Sequence, residues 1–396
     1  MRRSSDSSPE AAIGRVLAHK DAFGITRVAN LTGLDRTGIP VVMVCRPNSR
    51  SSAVFNGKGL DVNTAKAAGL MEAVETWHAE NVQLPLRFTS LADLRGRASV
   101  VDVDGLAHRP GPVFDDQAPI LWVEGRDLFD ETPTLTPFEV VHADSRMCGP
   151  PMSGALAMST NGLASGAQLS DAIRHALCEL IERDATALWH WRSPAEQNVR
   201  RLDLATVDDA SVRTTIGKLT TAGLDVGAWD IATDVCVPTF YCLVADRTEE
   251  IGHIGVGAAC HPRRGAALAR ALVEAAQVRT TYIIGSREDI EPGDYAPATI
   301  LQRNREARRL LASPTQTRSF ASVVDVALAS AEAEVNWLLG RLRAIGVRQA
   351  IAVDLTQSTY GIPVVRVVVP GLEGSDHHRA QYLPGPRARA IQGRAS

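Results

Sequence analysis

Ser159-Thr160-Asn161-Gly162-Leu163-Ala164-Ser165-Gly166, followed by Ala176-Leu177-Cys178-Glu179-Leu180-Ile181-Glu182-Arg183-Asp184, joins a glycine-bearing loop to an acidic helix. The apolar spacing predicts a helix starting near Ser170, and a helix N-terminus behind a glycine loop favours an anion. Residues three apart on that helix lie one turn apart and about 60° around its axis, so Glu179 and Glu182 present two carboxylates to one volume. Leu177, Cys178, Leu180 and Ile181 surround them with apolar side chains.

The same order of residue types recurs in Gly69-Leu70-Met71-Glu72-Ala73-Val74-Glu75 and in Ala271-Leu272-Val273-Glu274-Ala275-Ala276-Gln277. Predicted helices carry these copies from near Asn63 or Thr64 and from Arg263 to Gly265, behind Asn56-Gly57-Lys58-Gly59 and Gly255-Val256-Gly257-Ala258. One such acidic pair is ordinarily a solvated helix flank. Three copies set among apolar residues predict carboxylates that are gathered, which is costly unless cations compensate them. Oxygen donors without Cys or His suit a hard cation, and Mg²⁺ takes one or two carboxylates and fills its shell with water and nucleotide phosphates. The expectation is a nucleotide site on which the acidic helices converge. Gly57-Lys58-Gly59 is no P-loop, because no Ser or Thr follows the lysine and the upstream glycine is missing.

A second repetition is a helix–turn–strand–turn–strand unit. Lys218 to Ala222 ends at Gly223, Leu224 to Ile231 follows, and Pro238 opens the next strand; Leu339 to Ile345 ends at Gly346, Val347 to Leu355 follows, and Pro363 opens the next. Val41 to Cys45, Pro238 to Val244 and Gln349 to Leu355 read as strands. The fold expected is α/β, one large domain with mixed α+β sheets and repeated helix–strand units. Its boundaries are set as residues 1–20 for an N-terminal tail, expected to be disordered on its Ser- and charge-rich start, 21–375 for the domain, and 376–396 for a C-terminal tail.

With 396 residues, 45% of them hydrophobic, the chain can bury a core without staples. Its formal charge of −3 argues against nucleic acid as the main partner. Six cysteines without a C-x-x-C pair indicate neither secretion nor a zinc site, and no apolar run approaches membrane-spanning length, so a soluble cytoplasmic protein is expected. Cys148, Cys178 and Cys260 have no activating pair and are read as small structural residues rather than sulfur carriers. The adjacent His377 and His378 are given no role.

Gly57-Lys58-Gly59 leading to Glu72 and Glu75, residues 159–166 leading to Glu179–Asp184, and Arg270-Ala271-Leu272-x-Glu274-x-x-Gln277-x-Arg279 closely resemble the nucleotide-binding motifs of the YcaO family. Thr32-Gly33-Leu34-Asp35-Arg36-x-Gly38-Ile39-Pro40-Val41 and Pro363 to Glu373 are similar to that family as well, so the likeness spans roughly residues 20 to 375. The resemblance implies an enzyme that uses ATP and Mg²⁺ to phosphorylate the carbonyl oxygen of a peptide backbone amide. It gives the metal role to Glu72, Glu75, Glu179 and Glu182, and nucleotide contacts to Lys58, Ser159, Asn161, Arg183, Arg270, Glu274 and Gln277, with Arg183 also catalytic. Two positions depart from the family pattern: Ala68 stands where a Ser is common, and Thr76 where an Arg is common.

Members of the family differ in what attacks the activated carbon. A Cys, Ser or Thr side chain gives an azoline, sulfide a thioamide, and an amine an amidine. Azoline-forming members usually end in P-x-P-x-P, whereas here only Pro384-Gly385-Pro386 is present and the chain runs on to Ser396. The likeness also leaves no room for a fused leader-binding domain. The chain therefore resembles the stand-alone members that act with a TfuA-type partner on a peptide or protein and install thioamides; a homodimer is compatible with this. The alternatives are an azoline-forming cyclodehydratase, an amidine-forming member and a non-catalytic peptide-binding scaffold. The scaffold is disfavoured because all four carboxylates are present.

Overall fold

The computed structural model describes residues 8–146, 151–248, 252–287, 290–312, 317–374 and 383–395. The chain begins with α1 (Pro9–Ala18), β1 (Arg27–Asn30), β2 (Val41–Cys45), β3 (Val54–Lys58) and α2 (Val62–Glu80). Next come β4 (Leu86–Thr89), α3 (Leu91–Leu94), β5 (Ile120–Asp127), β6 (Pro133–Pro137), β7 (Leu163–Ser165) and α4 (Leu169–His190). They are followed by α5 (Pro194–Asn198), β8 (Leu202–Asp203), α6 (Ala210–Thr221), β9 (Leu224–Asp230), β10 (Thr239–Asp246) and β11 (Gly255–Cys260). The remainder is α7 (Arg264–Ile284), α8 (Pro297–Leu311), β12 (Arg318–Ser319), α9 (Ala331–Ala344), β13 (Ile351–Asp354), β14 (Val364–Val368) and α10 (Pro386–Ala395).

The chain divides into two compact units, one of residues 1–73 and 192–327, the other of residues 74–191 and 328–396, so the division falls within α2. In the first, β1-β2-β3 and β11-β10-β9 are antiparallel sheets, and α7 lies on β10 and β11. Its core gathers Leu219, Leu224, Phe240, Leu268, Leu272 and Phe320. Arg279 of α7 reaches Asp35 at 3.2 Å and Asp246 at 3.1 Å, so the buried carboxylate of the Thr32–Arg36 turn is fixed by a partnered cation. In the second unit the sheet order is β4-β5-β13-β14-β7, with β6 also paired to β5. Helix α4 lies on β14, β7 and α9, and all five residues of β14 are buried.

Both predicted repeat units are present, as α6-Gly223-β9-β10 and α9-Gly346-β13-β14. Gly223 and Gly346 have φ of 77° and 89°, the left-handed conformation that a helix stop demands and glycine alone adopts freely.

The acidic helices belong to a repeat more regular than the sequence pattern discloses. Strands β3, β7 and β11 each lie at the end of their sheet's order, and each enters its helix through three residues, 59–61, 166–168 and 261–263. Glu72, Glu179 and Glu274 each follow the last strand residue (Lys58, Ser165, Cys260) by 14 positions. Equal connections and equal helical phase place the glutamates equivalently in the three copies. The cap of α2 is Asp61, whose carboxylate accepts from Thr64 N at 2.8 Å, so the helix starts at Val62, one or two residues before the expected Asn63 or Thr64.

Two of the glycines in these segments, Gly57 and Gly257, are needed for helix packing. A Cβ on Gly57 would lie 2.0 Å from the Ala65 carbonyl oxygen and 2.2 Å from Gly69 N, and one on Gly257 2.3 Å from the Ala271 carbonyl oxygen. These strands press directly on the helix backbones.

Both ends of the chain contain more structure than tails. Ser8 accepts from Ala11 N, Pro9 occupies the first turn, and Val16 is fully buried, so α1 forms where disorder was expected. Helix α10 falls in the expected C-terminal tail. Its start is held by Glu373, whose carboxylate accepts from Gly385 N and Ala388 N, each at 2.8 Å.

Candidate functional site

In the first unit, β3 and α7 position a cluster around Lys58. Lys58 Nζ lies 2.7 Å from Glu274 Oε2, and both side chains are partly exposed. Three residues further along α7, Gln277 Nε2 donates to the Asn56 carbonyl at 2.7 Å, while Asn56 Nδ2 donates to Thr281 Oγ1 at 3.2 Å. These bonds fix the amide orientations and leave Asn56 Oδ1 and Gln277 Oε1 buried with no hydrogen bond among the described residues. Arg270, half-buried, is one turn before Glu274 on α7. Glu72 is exposed on α2.

In the second unit, Glu75, one turn beyond Glu72 on α2, accepts from Ser165 N at 2.9 Å and from Ser165 Oγ, which ties α2 to β7. Gln277 does the same for α7 and β3, so the second polar position of the motif holds a helix to the strand of another copy. Glu179 Oε2 accepts from Gly162 N at 3.2 Å, and Asn161 N donates to Ser159 Oγ at 3.3 Å within the same turn. Arg183 lies 3.6 Å from Glu179 and 3.9 Å from Glu182. Burial pushes the Glu179 carboxyl above its ordinary value, against the pull of Arg183 and Arg366.

The expected residues thus fall into two groups. Lys58 and Glu274 are paired in one, with Gln277 a turn further along α7; in the other, Glu179 and Glu182 flank Arg183 and Glu179 meets the turn of Ser159 and Asn161, while Glu75 is bonded to Ser165. Among the described residues no three His, Cys, Asp or Glu side chains form a group able to hold a metal ion alone. A Mg²⁺ ion would therefore draw ligands from phosphate and water. Taken unit by unit, the donors fit such ligands: in the first, the half-buried Lys58 and the buried oxygens of Asn56 and Gln277, and in the second, carboxylate oxygens beside the half-buried Arg183. Ala68 is exposed and Thr76 buried on α2. Cys178 and Cys260 are buried, as expected, and Cys236 is exposed. Cys148 and His377-His378 lie outside the described residues.

Sequence reading missed two charged residues. Arg366 in β14 is 2% exposed, its Nε donates to the Val140 carbonyl at 2.9 Å, and its Nη2 donates to the Ser159 carbonyl. A lone arginine within Val364-Val365-Arg366-Val367-Val368 was the available signal, since a charge in a buried strand needs partners. Asp184, fully buried, accepts from Arg387 Nε at 2.8 Å and Nη2 at 2.9 Å and from Glu373 N at 3.0 Å, anchoring α10 and the Glu373 turn on α4.

Burial raises the Asp184 carboxyl from 3.8 to about 6, Arg387 opposing and Glu373 adding to the rise. A raised value means that the fold favours the acid form, so this group's contribution is full below about 4 and is lost as pH rises through about 6. Asp184→Ala is expected to remove that slope from urea-unfolding midpoints and to lower stability at pH 7 by about 2–3 kcal/mol, since Arg387 and the Glu373 N–H lose their acceptor. An unchanged slope would assign the pH dependence elsewhere.

Comparison with known proteins gives concordant results. Residues 56–373 match the family model described as YcaO cyclodehydratase, ATP- and Mg²⁺-binding. The chain is 35% identical over 373 residues to an uncharacterized protein in the tfuA 3′ region of Rhizobium leguminosarum bv. trifolii, covering 92% of this chain and 88% of that protein. Among solved structures, YcaO from Methanopyrus kandleri bound with AMPPCP and Mg²⁺ matches with a TM-score of 0.73 and 23% identity, over 96% of this chain and 97% of that one. A heterocyclase in complex with substrate and cofactor matches with a TM-score of 0.76 and 20% identity, over 93% of this chain and 53% of the other. At these identities the two structures establish the fold, which is the expected mixed α and β architecture.

Proposed function

Because the chain belongs to the YcaO family, whose members bind ATP and Mg²⁺, we propose that it activates a peptide backbone amide by O-phosphorylation and forms a thioamide with sulfur brought by a TfuA-type partner. The observation that carries the thioamide reading is the 35%-identical relative from a tfuA 3′ region. ATP supplies the phosphoryl group that makes the amide oxygen a leaving group; sulfide then attacks the carbon, and ADP and phosphate are released.

The chain's own residues bind and orient. Glu72, Glu75, Glu179 and Glu182 are assigned the Mg²⁺ ion or ions, and Lys58, Ser159, Asn161, Arg270, Glu274 and Gln277 the nucleotide. The Lys58–Glu274 pair supports this, since a lysine held at 2.7 Å by a carboxylate is already aimed when phosphate arrives. Arg183, steadied by Glu179 and Glu182, is assigned the transferring phosphoryl group, where a forked donor stabilises developing charge.

Intact mass of the substrate peptide tests the reaction. The purified chain with ATP and Mg²⁺ should leave the peptide unchanged, and adding the partner with its sulfur source, or excess inorganic sulfide, should add about 16 Da as sulfur replaces oxygen. A loss of about 18 Da with the chain alone would sink the thioamide reading and establish internal cyclodehydration.

A further inference from the structure

Arg366 has no part in the roles assigned so far, yet it sits directly beneath the Ser159–Gly162 turn. It is the central residue of β14, which pairs with β7 through Arg366 opposite Leu163 and with β13 through Arg366 opposite Val353. The strand is buried along its whole length, so the guanidinium cannot reach water and must bond to what the fold offers. Nε takes the carbonyl of Val140, at the end of the turn formed by residues 138–140, and Nη2 takes the carbonyl of Ser159. Nη1 has no hydrogen-bond partner among the described residues. Burial lowers the pKa to about 10, with the Glu179 carboxylate pulling the other way, so the group is a cation at neutral pH.

We propose that Arg366 is a positioning residue of the nucleotide site: its planar fork clamps the carbonyls of Ser159 and Val140 and thereby fixes the turn that presents Ser159, Asn161 and the Gly162 N–H. The last of these groups holds Glu179, at 3.2 Å. A buried cation with one donor left over is a costly way to brace two loops, since an apolar side chain would fill a strand position without desolvating a charge. What the cation adds is direction. A guanidinium bonds two carbonyls in one plane at a fixed spacing, and its charge offsets that of Glu179 from the side of the sheet, while Arg183 does so from the helix. Arg366 acts through the turn and touches no reacting atom.

The inference rests on the MgATP reading above, and the test separates the two. Arg366→Lys keeps the charge but loses the fork, and Arg366→Gln loses both while remaining able to donate one bond. For substrate-dependent ATP turnover, Arg366→Lys should raise KM for MgATP about tenfold and Arg366→Gln more, with kcat lowered by a smaller factor in each; weakened binding of MgAMPPCP should match the KM change. If a folded Arg366→Lys protein, with a thermal midpoint near that of wild type, keeps wild-type KM and MgAMPPCP affinity, the positioning role is overturned. Equal losses in kcat at unchanged KM would overturn it too. Should Arg366→Gln not fold, Arg366→Lys decides alone. Absence of MgATP turnover in the wild-type protein with its peptide, partner and sulfide would instead overturn the functional reading on which the inference stands.

Discussion

Glu182→Gln should lower substrate-dependent ATP turnover by on the order of a hundredfold or more while leaving the thermal midpoint nearly unchanged. The side chain is 13% exposed, lies 3.9 Å from Arg183 and sits on a helix whose opposite face is packed, so an isosteric amide preserves volume and removes one negative oxygen. A metal ligand cannot be replaced by a neutral amide without weakening the ion, whereas an ordinary flank glutamate can. Arg183→Ala should abolish product with the partner and with inorganic sulfide alike, because external sulfide bypasses delivery and not activation. Normal turnover in Glu182→Gln would remove the second acidic helix from the metal site; product from Arg183→Ala under either condition would remove the arginine from phosphoryl transfer.

Gly57→Ala should be among the most destabilising single substitutions in the molecule, at about 3 kcal/mol or more, or should prevent folding. The added methyl would meet the Ala65 carbonyl oxygen at 2.0 Å and Gly69 N at 2.2 Å, both backbone atoms that cannot swing aside, so β3 would have to lift from α2. Gly340→Ala is the paired control, with nothing within 4 Å of the added carbon in the interior of α9, and should be neutral or stabilising by about 0.5–1 kcal/mol. Urea unfolding of both variants decides the matter. Equal stabilities would mean that the contact between strand and helix is not tight.

Much of this was legible along the chain because the forces involved are local. The run Val41–Cys45 is a strand as its β-branched residues require, and Gly223 and Gly346 end helices α6 and α9 with the positive φ that their positions demand. The acidic pattern marked three helices, since carboxylates among leucines at helical spacing leave a trace wherever the helix lies. Where composition alone was the guide, as in the N-terminal twenty residues, the Ser8 cap and the buried Val16 accompany α1 at Pro9–Ala18.

The amino-acid sequence by itself determined the repeated helix–strand units, the identity of the acidic helices and the likeness to a nucleotide-using family, all carried by residues within a few turns of one another. Tertiary structure alone decided the division within α2, the docking of α10 through Asp184 and Arg387, the use of Gly57 and Gly257 as packing sites, and the placing of Arg366 beneath Ser159. The reason is range. Helix period, caps and turn glycines are set by neighbours in the chain, whereas a buried charge or a missing Cβ can acquire its meaning from an atom some two hundred positions away, as Ser159 is from Arg366.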